Sequence, residues 1–204
     1  GITVHSSEDL KSWTREPAIF KEKPEWTDSV VADFENHIWS PDIFFKDGTY
    51  YLYFSVASFA KNTSAIGVAT NTTLDADDPD YNWKDHGIVV QSVPNRDMWN
   101  AIDPNVIEDE DGIVWMSFGS FWDGLKLVKM DEDLTKVVQP EVWHTIARRE
   151  RSFKLPDTDP GDAALEAPFI FKKNGYYYQF LSWDLCCRGE KSTYKIVVRR
   201  SKEV

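Results

Sequence analysis

The chain is short of the residues that would staple it, anchor it or draw it to polyanions. Only two cysteines occur in 204 residues, and they are adjacent, Cys186 and Cys187. Such a pair cannot tie distant segments together; a vicinal disulfide and two packed thiols both stay open. No apolar run approaches the length of a membrane span. No signal peptide is present, which carries little weight because Gly1 opens in mid-pattern. Positive charge is scarce: 23 Lys and Arg against 34 Asp and Glu give a net charge of −11. That balance opposes binding to nucleic acid or anionic membranes, because phosphate contacts need clustered Lys and Arg. The one basic cluster, Arg148-Arg149-Glu150-Arg151, is short and interrupted, and reads as a solvated loop. Helical periodicity is missing beyond a turn or two. HExxH, GxSxG, Walker and dinucleotide motifs are also absent, so nucleophilic serine chemistry and nucleotide chemistry lack support. His5, His37, His86 and His144 show no metal-ligand spacing.

What the chain does have is repetition. Trp39-Ser-Pro-Asp-Ile43 leads to Gly48-Thr-Tyr-Tyr-Leu-Tyr-Phe-Ser55, Ile102-Asp-Pro-Asn-Val106 to Gly112-Ile-Val-Trp-Met-Ser-Phe-Gly119, and Glu166-Ala-Pro-Phe-Ile170 to Gly175-Tyr-Tyr-Tyr-Gln-Phe-Leu-Ser182. The aligned prolines, Pro41, Pro104 and Pro168, are 63 and 64 residues apart. A fixed period of this size means stacked supersecondary units. The Gly-led stretches are dense in Tyr, Phe, Trp and Val and read as strands. Asp47-Gly48, Asp111-Gly112 and Asn174-Gly175 supply the positive φ that tight hairpins need. A further strand follows in each unit, over Ser64–Thr70, Leu125–Asp131 and Tyr194–Arg200. Four short antiparallel strands per unit describe a β-propeller blade.

Ile2–Leu10 resembles Leu127–Leu134, the third strand of a blade and its following turn. The expected organisation is therefore one incomplete propeller domain over 1–204. Residues 1–20 end a first blade, 37–95 form a second, 100–147 a third and 164–204 most of a fourth. A propeller closes into a ring to remove its sheet edges, so the chain is expected to be a fragment of a longer protein.

Two carboxylates stand at the proline anchor, Asp103 and Glu166, where the first copy has Trp39. Equivalent positions in successive blades rotate about one axis, so both are expected to face a shared central cleft. One protonated and one ionised carboxyl facing a cavity are the minimal kit for glycoside hydrolysis. Partial burial and mutual repulsion would raise one pKa, as an acid at neutral pH requires. The plainer alternative is that Asp103 caps a turn and Glu166 is a surface carboxylate. Trp39, Phe59, Phe121 and Trp122 fall at or beyond the inner strands, where aromatic faces can pack on the C–H faces of sugars; core packing is the competing use for each. Asp109-Glu-Asp-Gly112 hints at a calcium loop, but the full spacing and closing Glu are missing, and a hairpin turn is the better reading. Asn62-Thr-Ser and Asn71-Thr-Thr match the N-glycosylation sequon.

Six stretches together closely resemble the glycoside hydrolase family 43 arabinanases: Trp39-Ser-Pro-Asp-Ile43, Ser58-Phe-Ala-Lys-Asn-Thr-Ser-Ala-Ile-Gly67, Ala101-Ile-Asp-Pro-Asn-Val106, Ser117-Phe-Gly-Ser-Phe-Trp-Asp-Gly124, Glu166-Ala-Pro-Phe-Ile170 and Cys186-Cys-Arg-Gly189. The resemblance implies a five-bladed all-β propeller that cleaves α-1,5-linked L-arabinan with inversion. It implies Glu166 as general acid and Asp103 as the carboxylate that tunes and orients it. Trp39, Phe59, Asn105, Ser120, Phe121 and Trp122 would be substrate-binding residues. The family's general base lies on the inner strand of the first blade, before this chain begins, so no Asp here matches it; Asp42 sits in a related motif but one residue after the proline. No cofactor is required, although a structural calcium in the central channel of the complete protein is compatible with the family. The substrate class implies secretion, and the complete protein is expected to be a monomer. Related readings are an exo-acting arabinofuranosidase or β-xylosidase, or a non-catalytic sugar-binding propeller.

Overall fold

The computed structural model describes residues 2–32, 34–35 and 37–204, so Gly1 lies outside the described residues. The chain runs through four antiparallel sheets in order. The first pairs β1 (Val4–Ser6) with β2 (Thr14–Glu16). The second is a four-stranded meander of β3 (Ile38–Lys46), β4 (Thr49–Ala57), β5 (Ser64–Asn71) and β6 (Lys84–Ser92). The third repeats it with β7 (Asn105–Glu108), β8 (Val114–Phe118), β9 (Leu125–Lys129) and β10 (His144–Ala147). The fourth has β11 (Leu165–Lys173), β12 (Tyr176–Trp183) and β13 (Lys195–Ser201). The only helical pieces among the described residues are a four-residue turn at Thr27–Val30 and a 3₁₀ turn at Gly189–Lys191. The strands foreseen over Ser64–Thr70 and Leu125–Asp131 form; the one foreseen over Tyr194–Arg200 starts one residue later, leaving Tyr194 in the preceding loop.

Turn chemistry explains the hairpins. Asp47 and Gly48 (φ 50° and 80°) and Asn174 and Gly175 (φ 52° and 72°) place two successive residues in the left-handed region, as a two-residue hairpin turn demands. The third pair departs from expectation, because only Gly112 has positive φ. There the Asp109 carboxylate accepts the Asp111 and Ile113 amides at 2.9 Å each and the Trp115 indole N–H at 2.7 Å. The acidic run is thus a longer hairpin turn. Leu10 and Leu134 share positive φ (58° and 57°), in keeping with the likeness of the segments they end.

Successive sheets pack face to face. Tyr53, Ile66 and Val68 of the second meet Met116, Phe118 and Val128 of the third, all at 0 % exposure. Full burial of such side chains contributes about 1.5–3 kcal/mol each. Leu125 and Leu127 of the third sheet pack on Leu165, Leu181, Ile170 and Tyr177 of the fourth. Phe20, Trp26 and Phe34 from the segment before β3 cover the other face of the second sheet around Phe54 and Val56. The far face of the fourth sheet has no such cover: Phe169, Phe171, Ile196 and Val198 are exposed there.

The first strands of adjacent sheets lie side by side and are joined by side chains. The Asp42 carboxylate accepts the Val106 amide at 2.8 Å and the Asn105 side-chain N–H at 3.3 Å. One sheet further on, the Asn105 oxygen accepts the Ile170 amide at 2.7 Å. The residue after each of the first two prolines therefore clamps the next blade two residues after its own proline.

Candidate active site

The residue before each proline adopts positive φ: Ser40 (42°), Asp103 (59°) and Ala167 (55°). This conformation is uncommon outside glycine and costs of order 1–3 kcal/mol. It accompanies breaks in register between Trp39 and Asp42 and between Glu166 and Phe169, where β3 and β11 bulge against their neighbours. The kink creates two rows of equivalent positions. Ser40, Asp103 and Ala167 form one row; Trp39, Ile102 and Glu166 form the other. Asp103 and Glu166, expected from sequence to face a shared cleft, stand one place apart relative to their prolines. Glu166 is equivalent to Trp39 and lines a cleft; Asp103 is equivalent to Ser40, is 9 % exposed and feels the charge of Glu166.

The row also supplies the environment of Asp103. The Ser40 hydroxyl and the Ala167 amide, its two counterparts in the neighbouring blades, lie close enough to its carboxyl to favour the ionised form. Burial still dominates, and with the negative charge of Glu166 it pushes the Asp103 pKa up to about 6. From behind, Ser55 Oγ accepts the Asp103 amide at 3.1 Å, and Ser64 holds the preceding turn through Asn100 (2.6 Å) and Ala101 (2.9 Å).

The cleft, about 400 Å³, lies at the end of the sheets where β3, β7 and β11 begin. Each blade contributes the loop between its second and third strands: Phe59 and Ala60, then Ser120 to Trp122, then Asp184 to Arg188. Glu166 sits among them. Its Oε2 accepts the Ser120 hydroxyl and its Oε1 the Tyr194 hydroxyl, both at 2.8 Å. Phe59, 73 % exposed, offers an open aromatic face, and Trp39 is half-buried in the wall. Pro160 and Gly161 close another side. Gly124, which ends the Ser117–Gly124 motif, has φ +80°, and a Cβ there would stand 2.0 Å from the Ala147 carbonyl; only glycine fits.

Of the residues singled out from sequence, Trp39, Phe59, Ser120, Phe121, Trp122 and Glu166 all line this cleft. Trp122 is nonetheless 1 % exposed, and its indole N–H donates to the Asp157 carbonyl at 2.7 Å, pinning the 148–162 loop. Asn105 does not reach the cleft: it is buried and spent on the clamp between Asp42 and Ile170. Asp42 is likewise committed to that clamp, with burial raising its pKa to about 6. Cys186 and Cys187 are joined as a vicinal disulfide that forms part of the wall. Among the described residues no three His, Cys, Asp or Glu side chains converge as a cation site, so a channel calcium would find no such ligand set in them. Two polar residues are missed by sequence reasoning. Asp184 lines the cleft and is held below the usual carboxylate range by Lys195 and Arg149, at 2.7 and 2.6 Å. Tyr194 reaches Glu166 from the end of the disulfide loop. No spacing rule connects these to the proline anchor.

Repeated antiparallel sheets, each adding a loop to one aromatic-walled cleft that holds a carboxyl, are the architecture of a β-propeller. The family model "Glycosyl hydrolases family 43" matches residues 1–204, and the chain belongs to that family. It is 54 % identical over its full length to an extracellular exo-α-(1→5)-L-arabinofuranosidase of Cellvibrio japonicus, spanning 59 % of that protein. It is 41 % identical to the extracellular endo-α-(1→5)-L-arabinanase 1 of Bacillus subtilis, spanning 58 % of it. A solved Cellvibrio cellulosa α-L-arabinanase in complex with arabinohexaose superposes with a TM-score of 0.97 at 53 % identity, covering 99 % of this chain and 64 % of that one. The fold is that of the five-bladed all-β propellers. The chain spans about three-fifths of the relatives it matches.

Proposed function

We propose that this chain carries the acid half of an inverting hydrolase of α-1,5-linked L-arabinan. The observation that carries the reading is the placement of Glu166: it lines an aromatic-walled cleft and electrostatically perturbs a buried Asp103. Glu166 protonates the leaving glycosidic oxygen. Asp103 does not touch the sugar; its charge orients and tunes the acid. Phe59, Trp39 and Phe121 take the apolar faces of arabinose rings. Inversion requires a base about 6.5–9.5 Å from the acid to activate water. Asp42 is spent on the interblade clamp and Asp184 on two cations, so the base is assigned to sequence outside this chain. The exposed apolar face of the fourth sheet is one that a further blade would cover. The names of the relatives support secretion and an arabino-oligosaccharide substrate; the complete ring is taken to act as a monomer. Endo action is the primary reading. The relative at 54 % identity is named an exo-acting enzyme, which favours exo action as the second.

The test is reducing-sugar release from debranched arabinan by the product of the longest reading frame containing this sequence, beside the 204-residue chain. Activity in the longer product, lost on Glu166→Gln with binding retained, is the expected result. Short oligomers mean endo action and monomer alone means exo action. Activity in the shorter chain would make Asp42 or Asp184 the base; sugar binding without hydrolysis in either would leave a lectin-like propeller.

A further inference from the structure

Both oxygens of Glu166 are occupied, and by hydroxyls of different origin. Ser120 belongs to the cleft wall, on the loop after β8. Tyr194 is not among the residues lining the cleft and comes from the turn into β13. Ser182 faces Glu166 across the β11–β12 ladder and neighbours the tyrosine hydroxyl. The loop that delivers Tyr194 is closed one residue earlier, where the Thr193 amide donates to the Leu185 carbonyl at 3.0 Å and the Leu185 amide to Thr193 Oγ1 at 3.3 Å. The same loop is stiffened by the Cys186–Cys187 bond. Tyr194 therefore donates to the Glu166 carboxyl from a loop whose base is closed by its own hydrogen bonds.

We propose that Tyr194 is a positioning residue for the general acid: it fixes the Glu166 carboxyl from outside the substrate cleft and favours the carboxylate that remains once the proton has gone to the leaving oxygen. The inference rests on the assignment of Glu166 as that acid. Burial and the nearby charges of Glu166 and Asp103 keep the phenol protonated, so it remains a donor throughout the working pH range. A neutral donor stabilises the ionised carboxyl more than the protonated one, so it helps most as the glycosidic bond breaks. With Ser120 on the other oxygen, the carboxyl plane is held at two points, the rotational restraint that proton transfer in a fixed direction requires.

The experiment compares Tyr194→Phe with the unmodified protein from the longest reading frame containing this chain. Two substrates are used: debranched arabinan, and an arabino-oligosaccharide carrying a nitrophenyl leaving group that departs without protonation. On arabinan, kcat falls on the order of tenfold with KM within about twofold, and the alkaline limb of the kcat/KM profile moves to higher pH. On the nitrophenyl substrate the loss largely disappears. Unchanged kcat and pH profile, or equal losses on both substrates, would overturn the proposal; the second outcome would mark Tyr194 as packing only. Glu166→Gln in parallel separates the two levels. If it keeps its arabinan activity, the acid assignment itself fails; if it is inactive while Tyr194→Phe is silent, only the positioning role fails. Should Tyr194→Phe not fold, Thr193→Val keeps the ring but releases the loop that delivers the hydroxyl and must move the same limb; a wild-type limb there overturns the proposal equally.

Discussion

Replacing Asp103 with Asn removes a buried charge while keeping the shape of the side chain, and its surroundings give the sign of the consequence and its order of magnitude. In the folded protein the Asp103 pKa stands at about 6 against an ordinary 3.8. Burial is the main cause and Glu166 adds to it, while the Ser40 hydroxyl and Ala167 amide pull the other way. Between these two values the folded state binds the proton and the unfolded state releases it. The contribution of Asp103 to stability therefore declines as pH rises from about 4 to about 6, and above that the fold carries the full cost of the buried charge. A shift of this size corresponds to about 3 kcal/mol. A carboxamide in its place does not titrate and has no such dependence. Urea unfolding of the full-length protein, followed by tryptophan fluorescence at intervals from pH 4 to 8, reads the difference between the two. Asp103→Asn gains on the parent by up to about 3 kcal/mol as pH rises across this window and then holds that lead, while arabinan hydrolysis falls steeply. A gap that is flat with pH, or that narrows as pH rises, would refute the electrostatic account. Glu166→Gln in the same series lowers the top of the window, because it removes one of the two influences that raise Asp103.

Asn105→Ala removes the acceptor of the Ile170 amide and the donor to Asp42, leaving a buried N–H unpaired. A loss of about 1–3 kcal/mol in unfolding free energy is expected, with KM for arabinan unchanged in the protein that remains folded; a selective rise in KM would return Asn105 to the sugar site. Asn62 and Asn71 are 1 % and 4 % exposed, and Asn62 donates to the Asp97 carbonyl at 2.9 Å, so neither sequon is open in the folded chain. Expression through a eukaryotic secretory pathway is expected to give no glycan mass at either position in the folded protein; a glycan on Asn62 would contradict the packing around β5.

Much of the architecture is legible in the sequence because it is repeated. Three copies of a proline anchor, a Gly-bearing turn and an aromatic strand allow register to be read by comparing the chain with itself. The turn at Asp111-Gly112 escapes that reading because the Asp109 side chain, and not the dipeptide, organises it. The carboxylates are visible, but not their relation. Aligning on the prolines puts Asp103 one place nearer the proline than Glu166, and the positive φ shared by Ser40, Asp103 and Ala167 shows that this offset is built into the backbone. Asn105 resembles a ligand because it adjoins Asp103, yet its carboxamide serves the neighbouring blade. Tyr194 and Asp184 are invisible for another reason: they are brought to the cleft by a loop, and loop closure leaves no periodic trace.

The kink before each proline gives every blade the same two neighbouring addresses at the head of its inner strand. What occupies an address is independent of the scaffold: Trp39, Ile102 and Glu166 share one, Ser40, Asp103 and Ala167 the other. Side chains as unlike as indole, branched alkyl and carboxylate are tolerated in the same backbone setting. Chemistry in this fold is therefore modular. An acid, an aromatic platform or a plain spacer can be exchanged from blade to blade without rebuilding the sheet that carries it, so a change of specificity needs a change of occupant and no change of frame.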